Sequence, residues 1–303
     1  MPFKLKKLHS PTKQRAFIFL INELGLSQKE AQRHIANGRL FIDGEVMKIP
    51  TAEVEGSFEF VVYEPSTRGL KPLMQEDKFV VFDKPSGILI HPQNRNTSYS
   101  LVDELKYQFG LEANIAHRID QETSGLVLCA KDRQTEKDLK ALFENRTIQK
   151  KYLALVHGEF KKELTIDEPL LRKEDESAIV RMVVKVHPDG KDSKTTVTPL
   201  KYLKDKDMTL VECKPFTGRQ HQIRVHLFHV KHPIVGDPIY GQKEKDVLRF
   251  LDKTIHLSER INLSGASRLL LHANELEFDL NLKHYRIISD EIFVQTCFQK
   301  MKI

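Results

Sequence analysis

The segment Ala116-His117-Arg118-Ile119-Asp120-Gln121-Glu122-Thr123-Ser124-Gly125 runs directly into the apolar stretch Leu126-Val127-Leu128-Cys129-Ala130. Small polar residues and a glycine make a loop, and the apolar stretch reads as a buried strand. Asp120 is thereby delivered to a strand edge, where a carboxylate can meet a ligand. The same composition also suits a plain turn, with the aspartate bonding its own backbone. A second group, His221, His226, His229 and His232, has the donors a metal would want. On a helix His226 and His229 share a face that His221 does not join, and no cysteine or carboxylate lies at ligand spacing. No metal is expected.

Around Asp120 the elements alternate in kind. Phe79 to Phe82 reads as a strand, Lys84-Pro85-Ser86-Gly87 as a turn, and Ile88-Leu89-Ile90 as a returning strand. Residues 100–109 read as a helix capped by Ser100. With the β-rich runs Ile179 to Val186 and Thr195 to Val197, the pattern predicts an α+β fold built on a mixed, largely antiparallel sheet with flanking helices.

The start of the chain is of another character. Residues 1–48 hold nine Lys/Arg against four acids, so most of the chain's formal net charge of +6 lies there. Such a surface attracts a phosphate backbone, although a solvated basic face would have the same charge. Phe17, Leu20, Ile21 and Leu24 recur at helical spacing before Gly25. Ser27 and Glu30 form a capping box for a second helix that turns Ala31 and Ile35 inward and leaves Lys29, Arg33 and His34 outside. Arg39 to Lys48 reads as a hairpin around Asp43-Gly44. Between Tyr63 and Leu73, Pro65, Gly69 and Pro72 stand in a stretch without periodicity. The expected division is residues 1–62 as a small module, 63–74 as a linker and 75–303 as the main domain.

A chain of 303 residues with 40% hydrophobic and 30% charged content can bury a large core. No run nears the roughly 18 apolar residues of a membrane span, and the first residues lack a signal-peptide pattern. Cys129, Cys213 and Cys297 are odd in number and unpaired by spacing. A cytoplasmic protein, monomeric and without membrane contact, is expected.

The loop His117-Arg118-Ile119-Asp120 with Thr123-Ser124-Gly125-Leu126 resembles the HRLDxxTSGL signature of the RluA-type pseudouridine synthases. Thr217-Gly218-Arg219-Gln220-His221-Gln222-Ile223-Arg224-Val225-His226-Leu227 is similar to the family's TGRxHQIRxHL block. Lys84 to Gly87 with His91-Pro92, Lys150-Lys151-Tyr152, Gly236-Asp237 with Tyr240-Gly241, and Leu271-His272-Ala273 follow in the family's order. Asp83, Lys231 and Phe278-Asp279 depart from it. The segment Ser27 to Gly44 resembles an S4-type RNA-binding module, except that Arg15-Ala16-Phe17 replaces the usual Arg-Leu-Asp.

The resemblance implies an isomerase that breaks the uridine C1′–N1 bond, turns the base and rejoins C1′ to C5, with no cofactor. Asp120 would be the catalytic carboxylate, attacking C1′ or the base, or abstracting a sugar proton to give a glycal. Arg219 would hold it ionised through a guanidinium pair. Tyr152 would stack on the target base and could assist at the C5 proton. Arg118 would fill the space left by the flipped nucleotide, His117 would anchor the loop, and Lys29, Arg33 and Arg39 would contact RNA. Large-subunit ribosomal RNA is the expected substrate, with transfer RNA the alternative. A pure RNA-binding factor would need no such set. A carboxylate hydrolase would need a second acid, for which only Glu122 is near.

Overall fold

The computed structural model describes residues 2–172 and 184–301. At its start β1 (Phe3–Arg15), α1 (Ala16–Leu24), α2 (Gln28–Ala36), β2 (Leu40–Ile42), β3 (Glu45–Met47) and β4 (Glu53–Tyr63) form a small sheet in the order β1-β4-β2-β3 with two helices. Leu20, Ile35, Leu40, Phe58 and Phe60 fill the space between them. Gly25 closes α1 in the left-handed region. The Ser27–Glu30 capping box is present in both directions. Asp43 and Gly44 both have positive φ, as a primed hairpin turn requires.

Two features differ from the sequence reading. The long strands β1 and β4 were not expected: β1 buries only Leu8 and Ser10 within it, apart from half-buried ends, and carries Pro11 where its register with β4 slips. Half-exposed and interrupted, it shows little of the alternation that marks a strand. His34 faces inward rather than outward. Its ring lies 6.5 Å from Phe60, its Nδ1 is buried without a partner, and burial pulls its pKa down to about 4.

The body begins with β5 (Met74–Gln75), β6 (Phe79–Lys84), α3 (Leu101–Phe109), β7 (Asn114–Ile115), β8 (Ser124–Ala130), α4 (Arg133–Glu144) and β9 (Gln149–His157). It continues with β10 (Leu164–Asp167), β11 (Leu170–Arg172), β12 (Val184–Val186), β13 (Lys194–Leu203), β14 (Met208–Pro215) and α5 (Gln222–His229). It closes with α6 (Glu244–Leu251), α7 (Leu257–Ser264), β15 (Leu271–Leu280), β16 (Lys283–Ile288) and α8 (Phe293–Met301). The large sheet runs β10-β13-β14-β9-β15-β8-β6-β5, with β16 beside β15 and β7 beside β8. This is the expected α+β class. Among the described residues, its single parallel pairing joins β8 to β15, through Ser124 opposite His272 and Gly125 opposite Ala273. A Cβ on Gly125 would stand 2.3 Å from the Ala273 carbonyl oxygen, so only glycine lets these strands meet.

Residues 88–90 form no strand. The Leu89 and Ile90 carbonyls instead accept the Leu101 and Val102 amides, covering donors that the first turn of α3 leaves free. Of the expected run Ile179 to Val186, only β12 falls among the described residues. Residues 64–73 carry no helix or strand, yet Thr67 Oγ1 and the Arg68 amide both donate to Glu104. Among the described residues no helix is long and apolar enough to cross a membrane.

Candidate active site

Asp120 sits within the loop between β7 and β8, whose backbone carbonyls from Asp120 to Glu122 are all bonded. The Lys84 ammonium, fully buried, donates to the carbonyls of Pro85 and Gln121. Ser86 Oγ donates to the Glu122 carbonyl, the Gly87 amide to the Gln121 carbonyl, and the Thr123 amide to the Asp120 carbonyl. The turn at 84–87 is therefore the brace of the loop. Burial pulls the Lys84 pKa down to about 7, opposed by the charges of Glu122 and Asp120. At the loop's start His117 Nε2 accepts the Leu128 amide at 3.0 Å and the ring stacks on Phe143. Burial holds this imidazole neutral, with a pKa of about 3.

The guanidinium beside Asp120 is Arg224, not Arg219. Arg224 Nη1 lies 3.3 Å from Asp120 Oδ2, while its Nε and Nη2 each donate at 2.8 Å to the two oxygens of Asp237. The side chains of Arg224 and Asp237 are 3% and 1% exposed, that of Asp120 24%. Burial alone would lower the Arg224 pKa, but Asp237 and then Asp120 more than offset it and raise it. The fully desolvated, bidentate pair is thus the fixed part, and it offers its third edge to the cleft. Arg219 lies in the turn before α5, and its Nε donates to the Asp192 carbonyl. The sequence offered two arginines in one motif. Helix phase chooses between them, because α5 starts at Gln222 after His221 in the left-handed conformation and turns Arg224 inward. An arginine among Ile223, Val225 and Leu227 could have signalled a buried position, with Gly236-Asp237 supplying its acid.

His221 was also overlooked. Its Nε2 is 4.0 Å from Asp120 Oδ2 and its Nδ1 meets the Tyr240 hydroxyl at 2.9 Å. Burial and then the Arg224 charge bring its pKa to about 4, so it faces Asp120 as a neutral ring. Tyr152 is the fourth residue of β9, whose pairing with β15 extends the strand back to Gln149. Burial and the Asp120 charge push its phenol pKa up.

Asp120, Tyr152, Arg118, Arg219, His221 and Arg224 all line one cleft of about 790 Å³. Arg118 is exposed at its edge. Lys29 and Arg33 are exposed on α2, and Arg39 lies with its guanidinium 5.4 Å from the centre of the Phe3 ring. Burial, then the neighbouring charges of Arg95 and Arg33, lower the Arg39 pKa. The histidines of the second motif point to separate partners: His226 bonds Thr195, Ser193 and the Glu168 carbonyl, and His232 the His157 carbonyl. Among the described residues, Asp83, His272 and Glu291 bring possible ligand atoms within 4.8 Å. These three are joined through Ser289, Ser124 and the cation Arg268 behind β8.

Residues 78–229 match the family model for RNA pseudouridylate synthase. A protein of Helicobacter pylori strain J99 described as an uncharacterized RNA pseudouridine synthase is 37% identical over 289 residues, 95% of this chain and 96% of its own. Ribosomal large subunit pseudouridine synthase C of Vibrio parahaemolyticus is 34% identical over 245 residues, 78% of this chain and 71% of its own. The mitochondrial tRNA pseudouridine(32) synthase of Saccharomyces cerevisiae is 34% identical over 219 residues, 70% of this chain and 47% of its own. Among solved structures, human RNA pseudouridylate synthase domain containing 1 superposes with a TM-score of 0.59 at 25% identity, covering 77% of this chain and 89% of that one. Likeness that runs from end to end of a curated relative, over a body whose cleft gathers both sequence signatures, makes the chain a member of the RluA-type RNA pseudouridine synthase family.

Proposed function

We propose that Asp120 is the catalytic carboxylate of uridine isomerisation, and that the reaction proceeds without a cofactor. The observation that carries this reading is the salt bridge from Asp120 to a guanidinium already locked by Asp237. A flipped uridine entering the cleft would strip water from Asp120, which favours protonation, and Arg224 opposes that. The positioning partner is therefore Arg224, and Arg219, on the cleft wall, is a candidate contact to the RNA. With its phenol protonated, Tyr152 serves as a wall for the base, and any help it gives at C5 follows from passing on a proton. Glu122 is paired with Arg260 at 2.6 Å, which among the described residues leaves no free second acid beside Asp120 for hydrolysis.

For substrate, the proposal is large-subunit ribosomal RNA. The Vibrio relative named for that substrate is matched over more of its own length than the yeast relative named for transfer RNA. The first 62 residues are proposed to be an S4-type RNA-holding module, through Lys29, Arg33 and Arg39. Tritium release from C5-labelled uridine in ribosomal RNA of cells lacking the gene tests the chemistry. Asp120→Ala and Asp120→Asn should abolish release while RNA binding persists. Release at the native rate by Asp120→Asn would remove Asp120 from the mechanism. Comparing pseudouridine maps of cells with and without the gene tests the substrate, since unchanged ribosomal RNA would exclude it.

A further inference from the structure

A second cleft, of about 640 Å³, adjoins the first and shares with it Pro215, Phe216 and Thr217, which form a ridge, together with Arg146, Ile148 and Lys150. At the crest stands Phe216, which is 53% exposed although it follows a strand of the central sheet. A ring left in water costs hydrophobic stabilisation unless something covers it. Its backbone is not loose: the Phe216 amide donates to the Lys194 carbonyl at 2.9 Å, and Thr217 Oγ1 donates to Gln222 at 2.6 Å. The ring is a pre-set platform facing both clefts.

The charge beside it lacks a counterpart. Among the described residues, neither Arg146 nor Lys150 has a carboxylate partner, whereas Lys151, Lys194 and Lys214 around the same cleft pair with Glu275, Asp167 and Glu212. Lys150 is half-buried, its ammonium 3.4 Å from the Thr217 carbonyl, and its pKa is lowered by burial and then by Arg146. Arg146 holds a left-handed φ of 59°, a conformation that glycine would adopt at less cost. Two neighbouring cations without a carboxylate partner among the described residues, next to an exposed aromatic ring, match the combination that single-stranded nucleic acid uses: a base on a π-face and phosphates on cations.

We propose that the second cleft is a subsite for nucleotides flanking the target uridine, with one base stacked on Phe216 and the adjoining phosphates held by Arg146 and Lys150. It rests on the reading that the uridine itself enters the Asp120 cleft. A strand leaving Asp120 crosses the Phe216 ridge, so stacking there would hold the neighbouring nucleotide unstacked from the helix it came from and lower the cost of flipping.

The chain has no tryptophan, so Phe216→Trp places a lone indole at the platform. Saturating that variant with hexauridylate should quench its emission, whereas inorganic polyphosphate, with charge but no bases, should leave it bright. Phe216→Ala should weaken hexauridylate binding about tenfold and Phe216→Tyr should keep it. Arg146→Ala and Lys150→Ala should each lower the slope of log affinity against log salt by about one. Undiminished emission at saturation, or native affinity in Phe216→Ala, overturns the subsite. Quenching by hexaglutamate in place of hexauridylate also overturns it, because the cleft would then belong to an acidic protein segment. The chemical reading fails separately, by tritium release from Asp120→Asn with the indole still quenched by hexauridylate.

Discussion

The loop that carries Asp120 and the module that begins the chain are both attached to the large sheet, but at different depths. The loop is held through its backbone: carbonyls at Asp120, Gln121 and Glu122 all accept hydrogen bonds, one from a fully buried ammonium. The module is held at its edge, through contacts that are exposed or half-buried. Arg95 donates to the carbonyls of Asn37 and Gly38 at the end of α2, Tyr63 donates to Asp103, and Arg133 approaches Glu30 at 3.7 Å. Chemistry requires a carboxylate placed to a fraction of an ångström, and buried backbone bonds supply that. Holding a large flexible polymer requires charge and reach, and exposed side chains supply those.

The strongest way to break this contrast is at Arg224. Arg224→Met strands Asp237 as a buried carboxylate with the Ile239 and Tyr240 amides on one oxygen but no cation beside it, so unfolding in urea should show a loss of about 3–5 kcal/mol, with tritium release lost as well. Arg219→Ala, twinned with it in the sequence, should move the midpoint by less than about 0.5 kcal/mol. Equal midpoints for the two variants would mean that the rigid core of the site has been misidentified. Next in size is Gly125→Ala, which drives a methyl group into the Ala273 backbone where β8 and β15 meet. A cost of about 2–3 kcal/mol is expected in the same experiment, with the loss of activity following the loss of fold.

How far the sequence could reach follows the same division. The Asp120 loop and the caps at Ser27 and Ser100 were legible because each is decided within a few residues. The pairing of β1 with β4 was not, because its partners lie some fifty residues apart and Pro11 interrupts the pattern. Residues 88–90 misled because a short apolar run fits either a strand or a buried connector. Arg224 was hidden for a third reason: which of two neighbouring arginines turns inward depends on where α5 begins, and that is set by the tertiary position of His221.

Acid should reveal the buried half of the comparison. His221 and His272 are both brought to a pKa of about 4, chiefly by burial, against an ordinary value of 6.5. The unfolded chain takes up protons on these rings first. Their contribution is intact above pH 6.5 and is lost as pH falls from there toward 4, by up to about 1.4 kcal/mol per pH unit for each ring. Urea midpoints measured at pH 7, 6 and 5 should therefore fall progressively. His272→Asn should flatten the slope, and an identical slope would show that this ring is already charged in the fold.

The smallest effect belongs to the module's tether. Arg95 spends its guanidinium on two carbonyls at the C-terminal end of α2, where a cation also meets the negative end of the helix. Arg95→Ala should cost about 1 kcal/mol or less in global stability, since these contacts are part-exposed. Its consequence should appear elsewhere: faster hydrogen exchange at the amides that close α2, and a few-fold lower kcat/KM on structured ribosomal RNA. Hexauridylate is proposed to bind at the Phe216 cleft, so its affinity should be the same for Arg95→Ala and the native chain. A matching loss on the short and the long RNA would show that Arg95 shapes the clefts themselves, and the distinction between a rigid loop and an adjustable module would then have to be withdrawn.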